Sequence, residues 1–134
     1  MKAVYDTCLY IDMLRSGKHS EIFQSRSHIR YLSPVVVMEL SAGARTPSAK
    51  RALERLFNPY SKAQRVLSLS ANAYLKAGEI LQKLSSSQGR LGIHLSHDVL
   101  IALSAHSVGA TLFTSNKKDF AAIKRYLNYS VEFI

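Results

Sequence analysis

A chain of 134 residues in which 18 Lys and Arg face 9 Asp and Glu carries a formal charge of +9, a length that suits one domain over 1–134 and excludes two. With 47% hydrophobic and 20% charged residues the chain can fill a core, which excludes wholesale disorder. The surplus positive charge must then lie on a folded surface, where it attracts phosphate backbones, anionic lipid or acidic proteins without choosing among them.

The start of the chain is apolar, but Asp6 and Asp12 interrupt it, so it reads as mature protein and not as a signal peptide. A short strand over 3–5 ends at Asp6-Thr7, and Leu9, Met13 and Leu14 form the apolar stripe of a helix that Gly17 closes. Cys8 is the single cysteine; it allows no internal disulfide, no zinc-type Cys/His spacing accompanies it, and a cytoplasmic location is expected. Ser20 is expected to cap a helix to about His28, followed by a strand over 30–32. Ser33-Pro34 is a strong helix start and Thr46-Pro47 repeats it, with Asn58-Pro59 expected to end the second of these helices. Positions 65–69 are a strand candidate, Ser70 caps a long helix, and the serine-rich patch SSSQG at 85–89 is expected to end it. Ser96 is expected to cap a helix that stops at Gly109, followed by a strand over 111–114, a basic helix to about Leu127 and a closing strand over 130–133. The stretch 99–116 lacks Lys, Arg, Asp and Glu, but His106 and Gly109 mark it as helix, stop and strand, so no membrane span is expected. Strands separated by helices imply an α/β domain with a mostly parallel sheet covered on both faces.

In such a sheet, ligands bind outside the carboxyl ends of the strands. Asp6 ends the first strand, Glu39 lies early in the helix after the second, Asp98 starts the helix before the fourth, and Asp119 follows the fourth. All four map to one rim. Each acid alone also reads as a turn former or helix cap. Together they need a further reason, because unit charges about 4 Å apart repel by roughly 4 kcal/mol at an effective dielectric near 20. Divalent cations that prefer oxygen ligands, Mg2+ or Mn2+, remove that repulsion, with hydroxyls such as those of Thr7 and Ser115 in support.

The segments DTCLYI (6–11), SPVVVMELSAG (33–43), HDVLIALSAHSVGATLFTSN (97–116) and KKDF (117–120) resemble the PIN-domain ribonucleases, in particular the VapC-type toxins of bacterial and archaeal toxin–antitoxin pairs. The resemblance runs along essentially the whole chain. It implies a three-layer α/β/α domain with a five-stranded parallel sheet and a magnesium- or manganese-dependent endoribonuclease. Asp6, Glu39, Asp98 and Asp119 match the family's acidic quartet, and Ser115, or its neighbours Thr114 and Asn116, the polar position that supports the metal or its waters. A homodimer and a cognate antitoxin whose tail occupies the acidic cleft are implied as partners. His97, directly before Asp98, departs from the family pattern and suggests a local role in substrate contact.

Basic residues near these acids are candidates for RNA: Arg15 after the first helix, Arg51 and Arg55 four apart on one helix face, and Lys117 and Lys118 beside Asp119. Solvated helix faces carry such charges too. His94, His97 and His106 read as surface or capping residues, since an all-oxygen site does not call for imidazole. Two other readings are a PIN-like domain that binds RNA or protein without cutting, and a phosphatase with Asp6 as nucleophile. The second lacks the acid such chemistry needs two residues on, where Cys8 stands.

Overall fold

The computed structural model describes residues 1–88 and 94–134. Its elements run β1 (Lys2–Tyr5), α1 (Thr7–Ser16), α2 (Ser20–Gln24), β2 (Ile29–Tyr31), α3 (Pro34–Gly43), α4 (Pro47–Lys62), α5 (Ala71–Gln88), α6 (Ser96–Ser107), β3 (Thr111–Thr114), α7 (Lys117–Lys124) and β4 (Ser130–Phe133). The strands form one all-parallel sheet in the order β2-β1-β3-β4. In the two central strands, consecutive residues point to opposite faces, yet Ala3, Val4 and Tyr5 of β1 and Leu112, Phe113 and Thr114 of β3 are all buried. Helices must therefore cover both faces, as parallel sheets require. No helix among the described residues is long and apolar enough to cross a membrane.

Among the described residues the sheet has four strands where five were expected. Positions 65–69 contribute one parallel bridge, Leu32 to Val66, made by Leu32 N–H donating to the Arg65 carbonyl and Leu67 N–H donating to the Leu32 carbonyl, both at 2.8 Å. The ladder is stopped from both sides. Arg65 N–H is already spent on the Tyr60 carbonyl at the end of α4, and Ser33-Pro34 turns the partner chain into α3 directly after Leu32.

Helix starts follow the expected chemistry in three places, one of them Ser70, whose Oγ accepts from Ala73 N–H at 3.2 Å ahead of α5. Ser33 Oγ accepts from Val35 N–H and Thr46 Oγ1 from Ala49 N–H, each ahead of a proline in the first turn. Gly17 closes α1 in the left-handed region at φ 69°, its N–H bonded to the Met13 carbonyl. Elsewhere local detail differs. Ser20 is not a cap; His19 precedes α2 and its side chain, turned to Asp12, makes no capping bond, and α2 ends at Gln24 because Ser25 turns extended and its hydroxyl receives Ser27 N–H instead. Ser96 is already helical, since a short 3₁₀ turn at His94 and Leu95 leads into α6. Leu14 is exposed, and Tyr10 takes its place in the core. α4 continues through Pro59 to Lys62, at the cost of the hydrogen bond that a proline nitrogen cannot give the Arg55 carbonyl. α5 runs through the serine-rich patch to Gln88, and Gly89 of that patch lies outside the described residues. α7 ends at Lys124, short of Leu127.

The start of α3 is tied to the opposite side of the core, where the buried Ser33 and Ser104 hydroxyls lie 2.9 Å apart and Ser104 also donates to the Leu100 carbonyl. Replacing Ser33 by Ala removes both a cap and a buried bond, and is expected to cost about 2 kcal/mol, measured as a lower urea midpoint with an unchanged slope.

Candidate metal and nuclease site

Parallel pairing sets the site. Tyr5 sits opposite Phe113 in the β1–β3 register, so the residues that follow, Asp6 and Thr114, leave the sheet side by side. Asp6 N–H continues the ladder to the Phe113 carbonyl at 2.9 Å, and Thr114 Oγ1 donates to Asp6 Oδ2 at 2.7 Å. The other oxygen, Oδ1, takes Thr7 N–H at 2.8 Å and caps α1. Asp6 is thus both cap and site residue, held on both oxygens.

Thr7 then reaches across to the next acid, its Oγ1 donating to Glu39 Oε1 at 2.7 Å. Glu39 Oε2 lies 3.5 Å from Nδ1 of His97 on α6. On the far side, Asn116 at the start of α7 links the remaining pair: its Nδ2 lies 3.0 Å from Asp119 Oδ2 and 3.5 Å from Asp98 Oδ2. Its Oδ1 accepts Asp119 N–H at 3.4 Å. Ser115 Oγ turns to the Cys8 sulfur at 3.2 Å, and Cys8 in turn donates to Asp6 Oδ2 at 3.3 Å.

The four acids share one electrostatic environment. Asp98 is pushed from 3.8 up to about 7, first by burial, then by the charges of Asp6, Asp119 and Glu39, with His97 opposing. Burial also raises Asp6, against the hydrogen bonds from Thr114, Cys8 and Thr7. The Cys8 thiol is raised by burial and by the Asp6 carboxylate, so it remains a neutral donor. The structure therefore brings together all four sequence-predicted acids with Thr7, Thr114 and Asn116.

Among the described residues, no three His, Cys, Asp or Glu side chains converge to hold one ion. The donor set nevertheless fits a hard divalent cation: it is all oxygen, carries more negative charge than its own donors neutralise, and resists full ionisation. Magnesium in particular keeps several waters and takes only one or two carboxylates at a time.

The basic candidates separate. Arg15 lines a cavity of about 390 Å3 between α1, α3 and α4 that Glu39 also lines, and Lys117 and Lys118 are exposed in the turn that carries Asp119. Arg51 is exposed on α4, while Arg55 lines a different cavity. The sequence reading missed how firmly Glu39 is gripped, by Thr7 on one oxygen and His97 beside the other. Only the position of His97 next to an acid hinted at it.

The PIN domain family model matches residues 3–126. Solved structures with the same fold include VapBC-1 from nontypeable Haemophilus influenzae, at 23% identity with a TM-score of 0.73, covering 99% of this chain and 98% of that one. VapBC2 from Rickettsia felis, bound to a DNA fragment from their promoter, is similar at 23% identity with a TM-score of 0.69, covering 100% and 99%. FitAcB from Neisseria gonorrhoeae is similar at 23% identity with a TM-score of 0.69, covering 98% and 96%. No curated protein sequence matches the chain.

Because folded Asp98 keeps its proton up to about pH 7 and an unfolded Asp loses it near 3.8, the folded state binds more protons in between. Stability of the metal-free protein should fall as pH rises across that window. Asp98→Asn removes the effect: in chelator at pH 8 it is expected to raise Tm by about 3 °C, the size of roughly 1 kcal/mol after solvent screening, and at pH 3 to leave Tm unchanged, as calorimetry can check.

Proposed function

The chain belongs to the PIN-domain family, and from that premise we propose that it is a metal-dependent endoribonuclease, the VapC-type toxin of a toxin–antitoxin pair. The observation that carries the reading is the set of hydrogen bonds by which Thr114, Thr7 and Asn116 hold Asp6, Glu39, Asp98 and Asp119 on one rim, where burial first and the other three charges second raise the Asp98 carboxyl to about 7. Such a cluster on a chain of net +9 is costly when empty and useful when a cation shares it.

Asp6, Glu39, Asp98 and Asp119 would hold Mg2+ or Mn2+, which when bound acidifies a water and neutralises charge on a phosphodiester oxygen. The protein's own residues set the geometry. Thr114 and Thr7 fix both oxygens of Asp6, and Thr7 carries that order to Glu39. Asn116 bridges Asp98 and Asp119 by donating to both, with Ser115 supporting the loop through Cys8. Arg15, sharing a cavity with Glu39, is placed for a phosphate flanking the scissile bond, and Lys117, Lys118, Arg51 and Arg55 extend a positive field for RNA.

Covalent routes fit poorly. Cys8 is held as a neutral thiol, and Asp6 as nucleophile would have to release hydrogen bonds on both oxygens. Attack by water, with no enzyme-bound intermediate, suits these residues better. The similarity to VapBC chains supports a cognate antitoxin as partner, and the cavity shared by Arg15, Glu39, Ile11 and Leu53 offers its tail apolar wall beside acidic rim. Tyr74 and Leu75, 55% and 68% exposed on α5, offer apolar surface for a homodimer.

Pure protein with manganese is expected to cut a fluorescent RNA, with chelator stopping it. Asp6→Asn and Asp98→Asn should each lower the rate about a hundredfold or more while circular dichroism stays unchanged. Cleavage that survives both substitutions contradicts the reading, and metal-independent RNA binding without products points to a non-cleaving PIN domain.

A further inference from the structure

A second charged centre lies where α4 ends against the β2 edge of the sheet. A cavity of about 290 Å3 there is lined by Arg30, Arg55, Arg65, His28 and Tyr60, with Leu56 and Pro59 as apolar wall. No acidic residue lines it, and among the described residues none of the three arginines forms an ion pair. Glu54, the neighbour of Arg55, lines another cavity beside Lys50 and Phe57.

Arg30, Tyr60 and the Arg65 backbone are anchored, while the Arg55 and Arg65 side chains are exposed at the cavity's mouth. Arg30 donates through Nη1 to the Phe23 carbonyl at 2.6 Å, which orients its guanidinium. Arg65 is fixed by backbone bonds on both sides, its N–H to the Tyr60 carbonyl and its carbonyl from Leu32 N–H, each 2.8 Å. Tyr60 is tied through its hydroxyl to that of Tyr10 at 2.9 Å. The segment that fails to become a fifth strand thus brings one arginine to the same cavity as another from β2, with Arg55 supplied by the helix between them in sequence.

Three guanidinium groups gathered around one cavity without a carboxylate repel one another unless an anion joins them. Guanidinium matches tetrahedral phosphate oxygens with paired N–H donors, and a cavity at the small end of ligand sites takes a compact molecule. The Tyr60 and His28 rings and the apolar wall suit a flat organic group attached to it. We propose that this cavity binds a phosphate group carried by a nucleotide, either a free nucleoside monophosphate or the 5′-phosphate of an RNA end. The assignment is independent of the nuclease reading.

The test is binding followed by NMR on the full chain in chelator at 150 mM salt, with inorganic phosphate, AMP, and an RNA tetramer with or without a 5′-phosphate as probes. AMP is expected to move the amides of residues 30–32 and 60–66, with inorganic phosphate competing. The double variant Arg55→Gln/Arg65→Gln should weaken AMP about tenfold or more, as loss of two charge-assisted contacts implies, and the charge-matched Lys18→Gln/Lys83→Gln less than about twofold. Binding of only the 5′-phosphorylated tetramer at these amides also supports the site and assigns the phosphate to an RNA end. No shift at these amides with any phosphate probe overturns the proposal, a result that needs no variant to fold. Equal weakening in both double variants also overturns it, as does occupation by an acidic peptide that phosphate cannot displace.

Discussion

Mutual repulsion among Asp6, Glu39, Asp98 and Asp119 is the constraint around which the rest of this molecule is arranged. The chain could have scattered nine acids among eighteen basic residues and gained from every pairing. Instead, four stand on one rim of a parallel sheet, with Asp98 raised to about 7 by burial first and by the charges of the other three second. The cost is contained by donors from three elements: Thr7 at the start of α1, Thr114 at the end of β3 and Asn116 ahead of α7. None of these cancels charge. They fix the carboxylates in place and leave the negative potential for a cation to complete.

The same arrangement explains why backbone and site are hard to separate. Asp6 continues the sheet through its N–H, caps α1 through one oxygen and receives Thr114 on the other. A helix cap and a carboxylate of the candidate metal site are therefore one side chain. The choice between structural and functional roles, posed for each acid singly, dissolves here, because the structural bonds are what aim the group.

Much of this was legible in the sequence because it depends on boundaries. Asp6 follows a strand, Ser33-Pro34 and Thr46-Pro47 open helices, and in a parallel sheet the ends of strands and the starts of helices share a rim. What could not be read depends on register and on competition for backbone groups. The bond from Thr114 to Asp6 exists because Tyr5 pairs with Phe113, a match that no local pattern specifies. Positions 65–69 have strand composition, but Arg65 N–H goes to the end of α4, so the fifth strand shrinks to a bridge. Pro59 reads as a stop, yet one lost hydrogen bond was not enough to end a helix packed through Leu56, Phe57 and Tyr60. The arginine cavity was equally hidden, since Arg30, Arg55 and Arg65 meet only once that bridge has formed.

The central claim is that the rim is electrostatically incomplete without a cation, and Asp98 is its most sensitive reporter. The direct measurement is the side-chain carboxyl carbon shift of Asp98 followed by NMR from pH 3 to 9, with and without magnesium. The account predicts a midpoint near 7 without metal that falls by about one pH unit or more when magnesium is added. A midpoint at the ordinary value near 3.8 without metal, or one that magnesium does not move, would contradict it.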